Sequence, residues 1–180
     1  MIIKDLELEE CRNVLAGKGV GRLACVRDGQ PYVIPFHFAF DGQNCLYAFS
    51  TFGQKIDWMR SNPLVCVEVE EIKQQNDWTT LVIFGSYEEL IDTPQLAAER
   101  SFAFDLLSQR PMWWQPAYVA GTHRTVSEKA DPIYFRIHIS QMTGHRASVD
   151  PAGSAVKRAQ HAKRSSWWRR LWQSENSKPE

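Results

Sequence analysis

The order of apolar and polar positions predicts a mainly β chain with a few short helices. Some segments alternate apolar with polar residues or are rich in β-branched and aromatic side chains, which is typical of strands. Others repeat apolar residues at helical spacing. We expect strands over residues 20–26, 32–40, 45–50, 64–69, 78–90 and 133–139, and helices over 5–16, 54–60 and 95–109.

Two Asp-Gly pairs join the first three strands into an antiparallel meander. Asp28-Gly29 and Asp41-Gly42 lie between strand segments, and Asp-Gly is a strong hairpin signal. Six strands with few helices indicate a closed or nearly closed antiparallel barrel. The stretch Val33–Phe40 is rich in apolar residues on both faces. One face can fill the barrel, and the other then needs a cover.

Two residues interrupt the predicted strands. Pro35 has no N–H, so we expect it at an edge strand or a bulge, and an edge whose backbone faces a ligand would suit it equally well. Gly85 lies inside the long strand over 78–90, where glycine often marks a bend or a bulge.

Composition and length bound the class of protein. The chain has 180 residues, 43% of them hydrophobic, which suits one domain with an appendage. It has no apolar run near the roughly 20 residues of a membrane span. The first residues, MIIKDLELEE, turn acidic at once and lack a secretory pattern, so we expect a cytoplasmic protein. The cysteines lie far apart, which favours buried free thiols over disulfides or a zinc site.

The charge is balanced overall but unevenly distributed. Residues 151–180 contain seven Lys or Arg and two Glu, although the whole chain has a net charge of zero. We therefore divide the chain into a domain over 1–150 and a basic tail over 151–180. Tryptophans at 167, 168 and 172 fall on one side of a possible helix, which predicts binding to an anionic membrane surface. A disordered or docked tail is the alternative, and we do not expect nucleic acid binding.

The third strand runs directly into a candidate anion site. It ends in Ser50-Thr51-Phe52-Gly53-Gln54-Lys55, and a helical pattern follows at once. Free N–H groups and the dipole at a helix N-terminus favour a negative charge, and hydroxyls and a lysine add to this. Taken alone, the same residues also fit a capped helix with a solvated lysine.

Three motifs follow one another around this site. They read G-R-L-A with D-G-x-P-Y-V-x-P, then L-Y-x-F-S, then G-x-K-x-x-x-M-R-x-N-P-x-V-x-V-E. This run resembles the FMN-binding split-barrel family, which includes the pyridoxamine 5'-phosphate oxidases and relatives linked to nitroimidazole resistance. The resemblance covers residues 5–146. It implies an antiparallel six-stranded split β-barrel with flanking helices, paired as an isologous homodimer with FMN between the subunits.

The resemblance also implies which residues bind FMN. The backbone of one strand lines the flavin ring, the end of the next meets the ribityl chain and the phosphate, and a residue on the long strand adds a polar contact. In that order these are Val33, Ile34, Pro35 and Phe36; Phe49, Ser50, Thr51, Gln54 and Lys55; and Thr80. Pyridoxamine oxidases have an Arg-Lys pair where this chain has Gln54-Lys55. The lost charge predicts weaker FMN retention, or compensation by Arg22 or by an arginine of the partner chain.

The resemblance implies a class of function but does not identify the reaction. The basic residues that bind pyridoxal phosphate are not recognisable, so we do not expect a pyridoxamine 5'-phosphate oxidase. The leading interpretation is an FMN-dependent oxidoreductase that takes electrons from a reduced nicotinamide and passes them to a small nitroaromatic or quinone-like acceptor. The alternative is a non-catalytic carrier or sensor that binds flavin, deazaflavin or haem. No catalytic side chain is identified, and no metal site is expected. His37 is read as a half-buried strand histidine, with a substrate-facing or proton-supplying role as the alternative.

Overall fold

The computed structural model describes residues 1–110 and 132–149. Within these ranges it contains eight strands and three helices. In chain order they are β1 (Ile2–Asp5), α1 (Leu8–Ala16), β2 (Val20–Arg27), β3 (Gln30–His37), β4 (Ala39–Phe40), β5 (Cys45–Ser50), α2 (Gln54–Ser61), β6 (Leu64–Gln74), β7 (Asp77–Glu89), α3 (Ala97–Ser108) and β8 (Ile133–Ser148). The basic tail and its predicted membrane contact lie outside the described residues.

All strands of the described ranges belong to one antiparallel sheet. Its order is β3-β2-β6-β7-β8-β5-β4, and β1 also pairs with β8. The two ends of this path are consecutive in the chain, since only Phe38 separates β3 from β4. The sheet therefore curls round until its ends meet, although the hydrogen-bonded path does not close. This confirms the split-barrel fold and excludes a closed barrel.

The strand count and some strand lengths differ from the prediction. Two short strands, β1 and β4, bring the number from six to eight. β1 is fully exposed and too short for an alternating pattern to show. β4 appears because the segment that forms β3 changes partner at Phe38, from β2 to β5. β8 continues to Ser148, whereas the prediction ended at Ile139. The prediction stopped early because a bulge near Ser140 and the polar residues after it hide the alternation of apolar and polar residues.

The core fills the inside of the curled sheet. Its largest fully buried side chains include Leu23, Leu46, Ile83 and Phe135. Helices close the ends of this core: α1 contributes Cys11 and Leu15, and α2 contributes Ile56 and Met59. A second, smaller cluster forms where α3 covers the outer side of β5 and β8; its members are Ala39, Cys45, Tyr47, Leu90, Ala103, Leu107 and Tyr134. None of the described helices has the length and apolarity needed to cross a membrane.

The predicted irregularity at Gly85 is confirmed. The register between β7 and β8 shifts between Phe84 and Gly85, so that Ser140 becomes the extra residue of a bulge. The Ser140 hydroxyl donates to the Phe84 carbonyl at 3.0 Å. A Cβ at Gly85 would lie 2.4 Å from the carbonyl oxygen of His138, so only glycine fits here.

Candidate functional site

The exposed edge of β3 is one wall of the candidate site. The Phe38 N–H donates to the Gly19 carbonyl at 3.0 Å, which makes these two residues a hydrogen-bonded pair. Such pairs alternate along antiparallel strands, so the backbone groups of Val33, Pro35 and His37 point away from β2. β3 ends the hydrogen-bonded path, and Pro35 therefore lies on an edge strand as predicted.

The end of β5 faces this edge. β5 pairs with β4 at Tyr47 and Leu46, and with β8 as far as Ser50. Beyond Tyr47, however, β5 has no further pairs with β4, because the preceding residues of the chain form β3 and pair with β2. In the sheet, Phe49 and Ser50 pair with Tyr134 and Ile133 of β8. We call this gap between residues 33–37 and 49–51 the split.

Lys55 follows the split in the chain and lies in the first turn of α2. Its side chain is half-buried, and burial lowers the pKa of its ammonium group. Among the described residues it has no carboxylate partner and no side-chain hydrogen bond. The N-cap of α2 is Gly53, which offers no side-chain acceptor to the first N–H groups of the helix. The first turn also contains Asp57, but this carboxylate pairs with Arg27, and no carboxylate of residues 1–110 or 132–149 pairs with Lys55.

The polar residues that precede Lys55 differ from one another in burial and in hydrogen bonding. Ser50 is the one buried polar residue of the described ranges, and its hydroxyl donates to the Thr51 carbonyl at 2.9 Å. Thr51 is half-buried, and its hydroxyl makes no hydrogen bond within the described part of the chain. Gln54 is exposed at the start of α2. Thr51 and Lys55 are therefore the better-placed side chains for an anion.

The core holds the helix against both walls. Ile56 and Met59 are fully buried, so α2 cannot shift without opening the core. Trp58 packs edge-on against Tyr32 of β3, with 5.4 Å between ring centroids. Asp57 accepts a hydrogen bond from Arg27 of β2 at 2.5 Å. These contacts fix the first turn of α2 relative to β3 before any ligand binds.

The four predicted residues on β3 divide between two faces. Phe36 is buried and packs against Phe38, and Ile34 packs partly against the core. Val33 and Pro35 are exposed on the outer face. The backbone groups of Ile34 and Phe36 pair with β2, whereas those of Val33 and Pro35 face the split, as predicted for the strand that lines the flavin. His37 is exposed there rather than half-buried, so that interpretation was wrong.

The structure does not bring Thr80 to this site within one protomer. On β8, the partner of Ser50 is Ile133 and the partner of Thr80 is His145. These partners are separated by roughly 40 Å of extended strand. Arg22, predicted as a possible replacement for the lost charge, forms ion pairs with Glu68 at 3.1 Å and Glu70 at 2.6 Å instead.

A second polar cluster lies away from the split, and the sequence analysis missed it. It joins β5, β7, β8 and α3 through Cys45, His138, Glu88, Arg136, Glu99 and Tyr47. The pairing of β8 with β5 and β7 and the packing of α3 bring these distant residues together, so no local signal could have revealed the cluster. In the described ranges no group of His, Cys, Asp and Glu is arranged to hold a metal ion.

Comparisons with known proteins agree with this fold. The pyridoxamine 5'-phosphate oxidase family model matches residues 7–146. An uncharacterised protein of Rhizobium meliloti (strain 1021) is 40% identical over 147 residues, which are 82% of this chain and 97% of the relative. The crystal structure of a FAD-binding protein from Mesorhizobium loti is 41% identical, covers 83% of this chain and 99% of its own, and has a TM-score of 0.67.

More distant structures share the fold alone. A proposed 5-nitroimidazole antibiotic resistance protein from Bacteroides thetaiotaomicron is 18% identical, with a TM-score of 0.56 over 83% of this chain and 93% of its own.

Proposed function

Because the chain belongs to the pyridoxamine 5'-phosphate oxidase family, we propose that it binds FMN in the split and acts as an oxidoreductase. It takes electrons from a reduced nicotinamide and passes them to a small acceptor of the nitroaromatic or quinone type. The observation that carries this proposal is the half-buried Lys55, which has no counter-ion in the part of the chain that the structure describes. Bound flavin supplies the redox chemistry, and the protein binds it, orients it and limits access to it.

Lys55 is proposed to bind the phosphate. A partly desolvated ammonium group is unfavourable unless a negative charge balances it. A phosphate supplies that charge and accepts hydrogen bonds from Lys55, from the Thr51 hydroxyl and from the first N–H groups of α2. Gln54 adds no charge, so Lys55 is the only cation of the segment 50–55.

The edge of β3 is proposed to receive the ring. The polar edge of an isoalloxazine needs hydrogen-bond partners, because a buried unpaired polar group costs roughly 1–3 kcal/mol. The unpaired backbone groups of Val33, Pro35 and His37 offer carbonyl acceptors and two N–H donors along one line. Pro35 has no N–H, so a position that only accepts hydrogen bonds separates the N–H donors of Val33 and His37. This order favours a ligand whose edge alternates acceptors and donors in the same way.

The same phosphate site accommodates FAD. FAD retains the phosphate of FMN and extends from it, so Lys55 can bind either nucleotide. The Mesorhizobium loti relative is named as a FAD-binding protein, which makes FAD the main competitor of FMN here.

A second copy of this chain is the proposed cover of the outer sheet face. A row of register partners, Val33, Ala24, Cys66 and Phe84, crosses four strands on this face. Val33 and Phe84 have 58% and 46% of their surface exposed. Beside the row lie Arg22 and its glutamate partners, so the face carries both signs of charge, as an isologous contact requires.

Purification and identification of the bound cofactor test the proposal. We expect a yellow protein that releases FMN, identified by mass, and that oxidises a reduced nicotinamide when a nitroaromatic or quinone is present. Colourless protein that takes up neither FMN nor FAD would contradict flavin binding. Bound flavin without turnover for any donor and acceptor pair would favour the carrier or sensor, and a Soret band would favour haem.

A further inference from the structure

A cysteine, a histidine and a glutamate lie in line on the outer side of β5, β7 and β8. The Cys45 Sγ is 3.4 Å from Nδ1 of His138, and Nε2 of His138 is 2.5 Å from an Oε atom of Glu88. Cys45 and His138 are direct register partners, and His138 is in turn opposite Ser86, two residues before Glu88. The backbone pairing of three strands therefore sets this geometry.

The proton positions follow from the partners of Glu88. Arg136 donates to Glu88 at 2.8 Å, and chiefly this contact lowers the pKa of the Glu88 carboxyl. Because a carboxylate only accepts hydrogen bonds, Nε2 of His138 carries the hydrogen between them. In the neutral imidazole, Nδ1 is then the acceptor, and the Cys45 thiol donates to it. A nucleophile, a base and a group that orients the base are thus in contact.

The orienting group is itself held in place. Arg136 also donates to Glu99 at 2.5 Å, and the Tyr47 hydroxyl donates to the same Glu99 oxygen at 2.5 Å. Tyr47 is buried and Arg136 is mostly covered. Glu88 therefore cannot swing away from His138 without giving up its contact with a fixed arginine.

Access to the thiol is narrow. Cys45 is 8% exposed, whereas the side chain of His138 is 43% exposed. Burial, and after it the charge of Asp41, raises the pKa of the Cys45 thiol, so a standing thiolate is disfavoured. A reaction here needs a small reagent and must move the proton to His138 as the sulfur attacks.

We propose that Cys45 is a peroxide-reactive thiol for which His138 acts as the base and Glu88 as its positioning residue. The Cys45 proton moves to Nδ1 of His138 while the sulfur attacks one oxygen of hydrogen peroxide. The O–O bond breaks, and the departing hydroxide takes the proton from the imidazolium. The products are Cys45 sulfenic acid and water: the sulfur is oxidised and the peroxide is reduced by one electron pair.

The chain contains a matched control for this reactivity. Cys25 is 3% exposed, and burial alone raises the pKa of its thiol. Among the described residues, neither a histidine nor any other side chain forms a hydrogen bond with the Cys25 thiol. If burial governed reactivity, Cys25 and Cys45 would react alike. The proposal predicts that they differ.

The experiment exposes the full-length protein to hydrogen peroxide with dimedone, which traps sulfenic acid, and follows labelling of each cysteine by peptide mass spectrometry. We expect Cys45 to be labelled at least about 100-fold faster than Cys25, the low end of what a positioned base contributes. In His138→Ala the Cys45 rate should fall to that of Cys25, and added imidazole should restore part of it. Glu88→Gln should give an intermediate rate.

A second histidine is the control for effects of a substitution that do not depend on proton transfer from Cys45. His145 lies on the same strand, is 49% exposed and pairs with Asp5 rather than with a cysteine. His145→Ala should leave Cys45 labelling unchanged. Equal labelling of Cys45 and Cys25 in the wild type would overturn the proposal even if a variant failed to fold. So would a folded His138→Ala protein that keeps the wild-type rate, or one that imidazole does not rescue.

Discussion

Two partly buried cations of this domain have opposite surroundings. Arg136 of β8 lies between Glu88 at 2.8 Å and Glu99 at 2.5 Å, and its side chain is 20% exposed. Lys55 of α2 is half-buried too, but no carboxylate of the described residues contacts it. The first cation is balanced by the protein, and the second is not.

This difference distinguishes a charge that stabilises the fold from a charge that is available to bind a ligand. Desolvating a charge is costly, and a partner of opposite sign offsets that cost. At Arg136 the partner belongs to the fold, so the network stabilises the packing of α3 against the sheet. At Lys55 no described carboxylate is a partner, and the first N–H groups of α2 are further donors that a bound anion would satisfy. The same contrast yields three predictions, which lose their basis if the two cations behave alike.

The largest effect is expected for Arg136→Met. It leaves Glu88 and Glu99 close together without their shared cation, and we expect a loss of about 2–3 kcal/mol in the free energy of unfolding. Urea denaturation monitored by tryptophan fluorescence measures it. Arg60→Met is the matched control, because Arg60 makes two 2.7 Å hydrogen bonds to Glu89 but is itself 46% exposed. Its cost should be clearly smaller, and equal costs would show that burial of the network is immaterial.

The second effect concerns ligand binding rather than stability. Lys55→Ala should weaken FMN by about 10- to 100-fold, because a hydrogen bond to a charged group contributes roughly 1.5–3 kcal/mol. Riboflavin, which lacks the phosphate, should bind as it does to the wild type. Flavin fluorescence titration measures both. Lys18→Ala removes a lysine that already pairs with Glu71 at 2.7 Å and should leave both affinities unchanged. If FMN and riboflavin weaken together, Lys55 does not bind the phosphate.

Much of the fold could be predicted because its signals are local. The Asp28-Gly29 and Asp41-Gly42 turns, the helix start at Gln54 and the bulge at Gly85 each depend on a few adjacent residues. β5 was predicted over its full range, Cys45–Ser50, since turn residues and a glycine-containing loop bound it. What failed were features without a local pattern: the short β1, and the change of partner at Phe38 that makes β4 a separate strand.

The site was predictable to the extent that it is contiguous. Ser50, Thr51, Gln54 and Lys55 adjoin one another in sequence, and the structure adds that only Lys55 among them is a half-buried, unpaired charge. Thr80 came from resemblance alone, and strand register places it at the far end of the sheet. The contact of Cys45 with His138 depends on the pairing of β5 with β8, which residue spacing does not encode.

The smallest effect is the pH dependence that an unpaired Lys55 brings to the ligand-free protein. Burial lowers its folded-state pKa below the ordinary value of 10.5, so between these two pKa values the unfolded chain binds more protons and stability rises with pH. Lys55→Met keeps the length of the side chain and removes the charge. Without flavin it should be more stable than the wild type at neutral pH, and this advantage should shrink as pH approaches 10.5. Subtracting the two urea-unfolding profiles cancels the other groups that titrate there. A variant that is less stable at neutral pH would mean that the ammonium group already has a partner within the protein.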